Sequence, residues 1–270
     1  MSQLAQRVLT AIPLLAGLLL VLFFAPLRVA TTATAFVIVL GGWEWSAFLG
    51  GRSLPGRVAY TAAIAAVLGA SAWLVPEVVP LAFVLWVALL WWLAAFFWIL
   101  RYPTRVPAIV AGLAGILVLV PAWLALVAIL CVPVQGPALA LLALGIVFAA
   151  DIGAYFAGHR FGRVKLAPQV SPGKTWEGLI GGVVLAAATA AGGGALLGLA
   201  PVVMVPLGLG VATLSVVGDL TESMFKRSVG AKDSGQLIPG HGGILDRLDS
   251  VTAAMPLFAL ALSWLGLAAG

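Results

Sequence analysis

The sequence predicts an all-α polytopic integral membrane protein of about nine transmembrane helices, with its N-terminus in the cytoplasm. Hydrophobic residues make up 63% of the 270 positions and charged residues only 9%, which is more apolar surface than one soluble core can bury. Apolar runs repeatedly reach the roughly 20 residues that span a bilayer. The net charge of +5 does not indicate a nucleic-acid partner, because the basic residues are scattered between the apolar runs.

The first apolar run follows Arg7 and begins as a secretory signal does. It is longer than a usual signal core and many spans follow it, so we interpret it as an uncleaved first helix. Charged and Pro/Gly breaks divide the chain into nine spans, at residues 8–25, 29–49, 58–76, 79–100, 107–130, 138–158, 176–199, 201–218 and 245–268. Residues 1–150 are predicted to form an N-terminal transmembrane region, and residues 151–270 a catalytic transmembrane region with polar cytoplasmic loops.

The distribution of basic residues predicts the orientation. With a cytoplasmic N-terminus, every one of the 14 Lys and Arg residues except Arg28 falls on the cytoplasmic side. This asymmetry is what the positive-inside rule expects, and it supports an odd number of spans. We therefore expect a multi-pass protein of the inner (cytoplasmic) membrane whose polar loops, and any active site in them, face the cytoplasm.

The acidic residues predict a metal site at that face. Seven of the nine acidic residues lie between positions 151 and 249, although a carboxylate at the bilayer centre costs about 2.5–3.5 kcal/mol. The pairs Asp219/Glu222 and Asp246/Asp249 have an i, i+3 spacing, which places each pair on one helical face. Such oxygen ligands without a nearby cysteine suit Mg²⁺. Zinc is not favoured, because His241 has no histidine or cysteine partner at ligand spacing.

Between the two acidic pairs, residues 229–243 hold five glycines. Successive glycines let backbone N–H groups surround an anion, so this loop is a candidate phosphate cradle. A flexible connector is the alternative interpretation. The loop and its flanks carry interleaved charges of both signs, which a plain connector does not require.

A second polar segment runs from Asp151 to Gly178. Within it, Ser171 is suited to be an N-cap and Pro172 to the first position of a helix, which would place Lys174 at a helix N-terminus that favours anions. A P-loop is excluded, because the motif needs glycine where this chain has Pro168.

Several short motifs together resemble the signature of the phosphatidate cytidylyltransferases, also called CDP-diacylglycerol synthases. They are DIGAYF from Asp151, SPGKTWEG from Ser171, SMFKR from Ser223, KDSG from Lys232, PGHGG from Pro239 and DRLD from Asp246. The close matches cover roughly residues 151–250, whereas the first 150 residues agree only as a row of spans with a Trp43-Glu44-Trp45 element.

The resemblance implies that CTP and phosphatidate react to CDP-diacylglycerol and pyrophosphate, with Mg²⁺ required and a second ion, divalent or K⁺, left open. It implies a metal and catalytic set of Asp219, Asp246 and Asp249, with Glu222 as a further metal ligand and Lys226 as a further catalytic residue. The implied substrate-binding residues are Ser171, Lys174, Ser223, Arg227, Lys232, Asp233, Gly240, His241, Gly242, Gly243 and Arg247.

Other classes of membrane protein remain alternatives at this point. An ion-coupled transporter would also keep carboxylates in the membrane, but transporter sites lie near the midplane of repeated halves. A CDP-alcohol phosphatidyltransferase would need a spacing of aspartates that this chain lacks, and a purely structural protein leaves the charged motifs unexplained. A homodimer is the assembly expected from symmetry alone.

Overall fold

The computed structural model describes residues 3–50, 53–235, 237 and 242–267. Within them lie nine α-helices, α1 (Gln3–Phe24), α2 (Leu27–Trp45), α3 (Leu54–Glu77), α4 (Leu81–Leu100), α5 (Ala108–Leu130), α6 (Gly136–Phe161), α7 (Trp176–Leu196), α8 (Pro201–Ser228) and α9 (Leu245–Trp264). Each predicted span corresponds to one helix, which confirms the all-α membrane fold. Seven of the described helices, α2 to α8, are long and apolar enough to cross a bilayer. How many cross it, and in which orientation, stays a prediction.

Prolines mark the starts of several helices. Pro26, Pro80 and Pro107 are the residues immediately before α2, α4 and α5, and α8 begins with Pro201 itself. Proline has no N–H to leave unpaired in the first turn, and its fixed φ suits entry into a helix. The connections before these helices therefore end where a proline permits the next helix to begin.

Helix α5 lies at the centre of the bundle and contacts α2, α3, α4, α6 and α9. Small residues on it, including Ala111, Ala114 and Ala125, are fully buried. The remaining helices of the C-terminal part pack in chain order, α6 on α7, α7 on α8 and α8 on α9. This order brings the ends of α2, α6 and α8 and the starts of α7 and α9 to one end of the bundle, called here the site end.

Helix α8 is ten residues longer than the predicted span, which ended at residue 218. The extension is helical despite its charges because one face of it is buried, with Met224 and Phe225 fully inside the bundle. Glu222 and Lys226 are one helical turn apart and form an ion pair of 3.2 Å. The charged residues that were expected to follow the span therefore belong to the helix.

A short antiparallel hairpin precedes α7, formed by β1 (Lys165–Ala167) and β2 (Ser171–Thr175). The prediction that Ser171 caps a helix and that Pro172 opens it is wrong, because the pairing of Ala167 with Ser171 holds this segment extended. Thr175 is the N-cap of α7 instead, and its hydroxyl oxygen accepts the N–H of Gly178 at 3.1 Å.

Glycines allow α6 and α7 to approach closely beside the site. A Cβ added to Gly182 would lie 2.5 Å from the carbonyl oxygen of Ala150, and one on Gly153 would lie 2.6 Å from that of Gly181. Real Cβ atoms essentially never lie within 3.0 Å of such a neighbouring heavy atom. The GxxxG spacing at Gly178 and Gly182 thus marks a real backbone contact, which fixes α7 against the helix that carries Asp151.

Candidate active site

A polar cavity of about 580 Å³ opens at the site end of the bundle. Helices α6, α8 and α9 and strand β2 supply its charged residues, which are Asp151, His159, Lys174, Asp219, Asp246, Arg247 and Asp249. Among the described residues, the lining thus has four carboxylates and the two basic side chains of Lys174 and Arg247. Three of the four predicted metal ligands share this cavity, and Asp151 joins them.

Lys174 and Asp219 face each other across this cavity and form an ion pair of 2.5 Å. Strand β2 carries Lys174 to this place, one residue before the N-cap of α7. The hydroxyl of Ser223, one turn further along α8, donates to Oδ1 of Asp219 at 3.3 Å. Both partners of the ion pair remain partly exposed, with 24% and 29% of their side-chain surface accessible, so an entering anion can compete for the lysine.

Lys226 lies behind the cavity wall and is only 8% exposed. Its Nζ donates to Oδ1 of Asp246 at 2.7 Å and pairs with Glu222 at 3.2 Å. Glu222 is 2% exposed and does not line the polar cavity. The i, i+3 pair at the end of α8 is therefore divided, with Asp219 facing the cavity and Glu222 facing the buried lysine.

Asp246 holds two described parts of the glycine-rich loop. Its carboxylate accepts the backbone N–H of Gly243 at 2.8 Å and that of Ser234 at 3.2 Å. Gly242 has a φ of +81°, a left-handed conformation that glycine adopts without strain. The Gly243 amide, predicted to bind phosphate, is thus engaged by Asp246 in this structure.

Several other predicted substrate-binding residues lie outside the polar cavity. Arg227 is exposed and donates to the carbonyl of Ala231 at 3.3 Å, Lys232 and Asp233 are exposed, and Ser171 is partly buried on β2. Gly240 and His241 lie outside the described residues. Of the predicted phosphate-binding residues from Gly240 to Gly243, the structure therefore describes only Gly242 and Gly243.

Glu44 is the residue that the sequence interpretation missed. It lies at the end of α2, is 1% exposed, and accepts the N–H of Leu245 at 2.8 Å and the hydroxyl of Ser234 at 3.2 Å through the same oxygen, Oε2. A carboxylate between two tryptophans at the end of an apolar span was the available signal. Its partners, about 200 positions away in the chain, could not be read from the sequence.

A larger cavity of about 920 Å³ lies at the opposite end of the bundle. It is lined mainly by residues of α2, α3 and α5, with Cys131 at its edge. Among the described residues it has no charged side chain. The chemistry of the molecule is therefore concentrated in the smaller polar cavity.

The polar cavity has the donor types that a hard divalent cation prefers. Its carboxylates outnumber its cations, so a polyphosphate would be repelled unless cations accompany it. Among the residues that the structure describes, no three His, Cys, Asp or Glu side chains converge closely enough to form a ready-made metal site. The residue types fit Mg²⁺, and the side chains have to rearrange to bind it.

Comparison with known proteins identifies the family. The family model described as "Cytidylyltransferase family" matches residues 5–265, which is almost the whole chain. The chain belongs to the cytidylyltransferase family. Phosphatidate cytidylyltransferase of Pseudomonas aeruginosa is 43% identical over 97% of this chain and 97% of that protein. The Haemophilus influenzae protein of the same name is 38% identical over 95% and 97%.

A third relative matches a shorter stretch of the chain at higher identity. Phosphatidate cytidylyltransferase of Brucella suis is 50% identical to this chain over 122 residues, which is 43% of each protein. As a cytidylyltransferase-family member the chain is a nucleotidyltransferase enzyme of the membrane. The transporter and the purely structural protein, which composition alone left open, are set aside.

Proposed function

We propose that this enzyme transfers CMP from CTP to phosphatidate at the polar cavity, on the cytoplasmic side of the inner membrane, giving CDP-diacylglycerol and pyrophosphate. The observation that carries the proposal is the 43% identity, over nearly the full length, to a protein named for this reaction. The cavity adds a chemical reason, since it combines carboxylates with Lys174 and Arg247 at one end of an apolar bundle. Phosphatidate presents its phosphate at the membrane surface, where soluble CTP can also reach.

The reaction requires positioning more than it requires a catalytic base. The phosphate monoester of phosphatidate has a second pKa of about 6, by analogy with phosphoserine, so it is already a nucleophile near neutral pH. One of its oxygens bonds to the α-phosphorus of CTP while the bond from that phosphorus to the β-bridging oxygen breaks. Pyrophosphate leaves with the electron pair of the broken bond, and the protein has to align the reactants and balance the charge.

Lys174 is the side chain best placed to meet an incoming phosphate. It lies on the cavity wall and already binds an anionic oxygen, that of Asp219. A phosphate oxygen that pairs with Nζ of Lys174 would replace the Asp219 carboxylate, because phosphate carries more negative charge. Asp219 would then be available to bind a cation. Arg247 lies on the same wall and supplies a second positive charge for phosphate.

Asp219 and Asp249, with Asp246, are the residues that would hold Mg²⁺. When bound, the ion would offset charge on the phosphates of CTP and on the departing pyrophosphate. Asp246 also accepts the N–H groups of Ser234 and Gly243, so we propose that it helps to hold the loop in place as well. Glu222 balances the charge of Lys226 at 3.2 Å, which is the role that its buried position favours.

The reaction is tested with purified protein in detergent supplied with phosphatidate, CTP and Mg²⁺. We expect pyrophosphate and CDP-diacylglycerol in equal amounts, with no release when ATP replaces CTP, when phosphatidate is omitted or when Mg²⁺ is chelated. Folded protein that releases no pyrophosphate, or releases it without phosphatidate, would overturn the assignment. Mn²⁺ titration followed by electron paramagnetic resonance tests the metal separately, because Asp219→Asn should weaken Mn²⁺ binding in the absence of turnover.

A further inference from the structure

Glu44 joins the first half of the chain to the glycine-rich loop and to the helix that follows it. Its Oε2 accepts the hydroxyl of Ser234, which is in the loop, and the N–H of Leu245, which follows the loop. Leu245 is the first residue of α9, so the carboxylate lies at a helix N-terminus, where the helix dipole favours negative charge. A residue of α2 thereby caps a helix that begins about 200 positions later.

The glycines beside Glu44 are fitted to its carboxylate. A Cβ added to Gly243 would lie 2.5 Å from Oε2, and a Cβ added to Gly235 would collide with Oε1. A larger residue at either position would therefore displace the carboxylate from its present contacts. Gly243, which was predicted to bind phosphate, therefore has a separate reason to be glycine.

Packing alone does not account for a carboxylate at this position. Glu44 is 1% exposed, and its Oε1 has no hydrogen-bond partner among the described residues. Removing a charge from water costs several kcal/mol unless interactions repay it, and an apolar residue of similar volume would avoid that cost. The carboxylate accepts hydrogen bonds from Ser234 and Leu245, which an apolar residue could not do.

The neighbouring tryptophan fixes where the carboxylate lies. Trp45 donates from Nε1 to the carbonyl of Ala111 at 2.8 Å, which ties the end of α2 to the central helix α5. Its ring packs on Phe225 with centroids 5.1 Å apart, and Phe225 precedes Lys226 in α8. The end of α2 therefore packs against both α5 and the part of α8 that carries Lys226.

From these contacts we propose that Glu44 is a positioning residue that holds Ser234 and the segment from Gly243 to Leu245 beside Asp246, which lines the polar cavity. The effect of Glu44 on catalysis rests on the proposed function. Its effect on the loop rests on the contacts alone. It predicts that the carboxylate acts through the loop and touches neither substrate nor metal.

The structural consequence is measured by hydrogen exchange of peptides covering residues 229–250, with no substrate present. Glu44→Ala should exchange faster in this segment, whereas Glu44→Gln should stay close to wild type because its amide oxygen can accept the same two donors. Glu77→Ala is the matched control, since Glu77 is the other acidic residue of the first half and is exposed at the end of α3. Unchanged exchange in Glu44→Ala would overturn the proposal whether or not the enzyme assay works.

The catalytic consequence is measured with the same proteins. Glu44→Ala should lower kcat/KM for CTP by about 10- to 100-fold, as loss of an outer supporting contact does, mainly through KM for CTP and with KM for phosphatidate unchanged. Glu44→Gln should stay within about threefold of wild type, because neutral hydrogen bonds of similar geometry remain. A Glu44→Gln enzyme as inactive as Glu44→Ala, with normal loop exchange, would contradict positioning and indicate a direct role for the charge.

Ser234→Ala keeps the test decisive if Glu44→Ala does not fold. It removes one of the two donors to Glu44 without removing the buried carboxylate. We expect a smaller change in the same direction, both in loop exchange and in KM for CTP. Unchanged loop exchange in Ser234→Ala would refute the contact between Ser234 and Glu44.

Discussion

The close contact between α6 and α7 leads to a sharp prediction, because the same helix offers a matched control. Gly182→Ala places a Cβ 2.5 Å from the carbonyl oxygen of Ala150, so the helices must separate locally by at least 0.5 Å to reach the 3.0 Å limit of real contacts. Overpacking of this kind costs about 1–3 kcal/mol. Gly192→Ala makes the same chemical change on α7 where nothing lies within 4 Å.

The separation should also reach the active site, since α6 carries Asp151 and the residues before α7 carry Lys174. Misplacement of reacting groups by about 1 Å can lower a rate about 100-fold, so a shift half as large should lower kcat by about tenfold. Thermal unfolding in detergent and pyrophosphate release measure the two effects. Gly192→Ala should match or exceed wild-type stability, because alanine favours helix by about 1 kcal/mol over glycine. If Gly182→Ala is as stable and as active as Gly192→Ala, the reasoning from backbone contact is wrong.

Two further predictions concern the cap of α7 and the orientation of the chain. Thr175→Ala should destabilise the protein by about 1 kcal/mol, because the Gly178 N–H loses its acceptor. Thr175→Ser should unfold at the wild-type temperature, because its hydroxyl can accept the same N–H. Equal unfolding temperatures for the wild type and both variants would disprove the cap. Cys131, the single cysteine, should react with a membrane-impermeant maleimide in right-side-out vesicles but not in sealed inside-out vesicles. A Cys131→Ala protein that also carries Ser228→Cys should show the reverse, and the opposite pattern for either cysteine would invert the proposed topology.

The sequence was sufficient to predict the helices, because a membrane span is defined by local properties. Length and apolar composition located all nine, and prolines such as Pro80 and Pro107 marked their starts. The end of α8 was misjudged because charges usually end a span. Here Lys226 is neutralised by Glu222 and Asp246, partners that a local pattern does not reveal as a group.

The candidate site was predicted in its composition but not in its contacts. Asp219, Asp246 and Asp249 do meet in one cavity, since short motifs at the ends of neighbouring helices indicated a common face. The cap at Thr175 was missed because strand pairing decided between two suitable residues. Glu44 was missed for a different reason, since its function depends on tertiary contacts with residues near the other end of the chain.

The central claim is that the polar cavity is the place of CMP transfer. Its most direct test is the formation of CDP-diacylglycerol from labelled CTP by Asp219→Asn, compared with wild type and with Glu77→Gln. We predict that Asp219→Asn folds, because Asp219 is partly exposed, and that it loses at least about 100-fold in turnover, as removal of a group that stabilises transition-state charge does. Glu77→Gln should keep wild-type turnover. An Asp219→Asn enzyme with wild-type turnover would contradict the claim and place the reaction elsewhere in the protein.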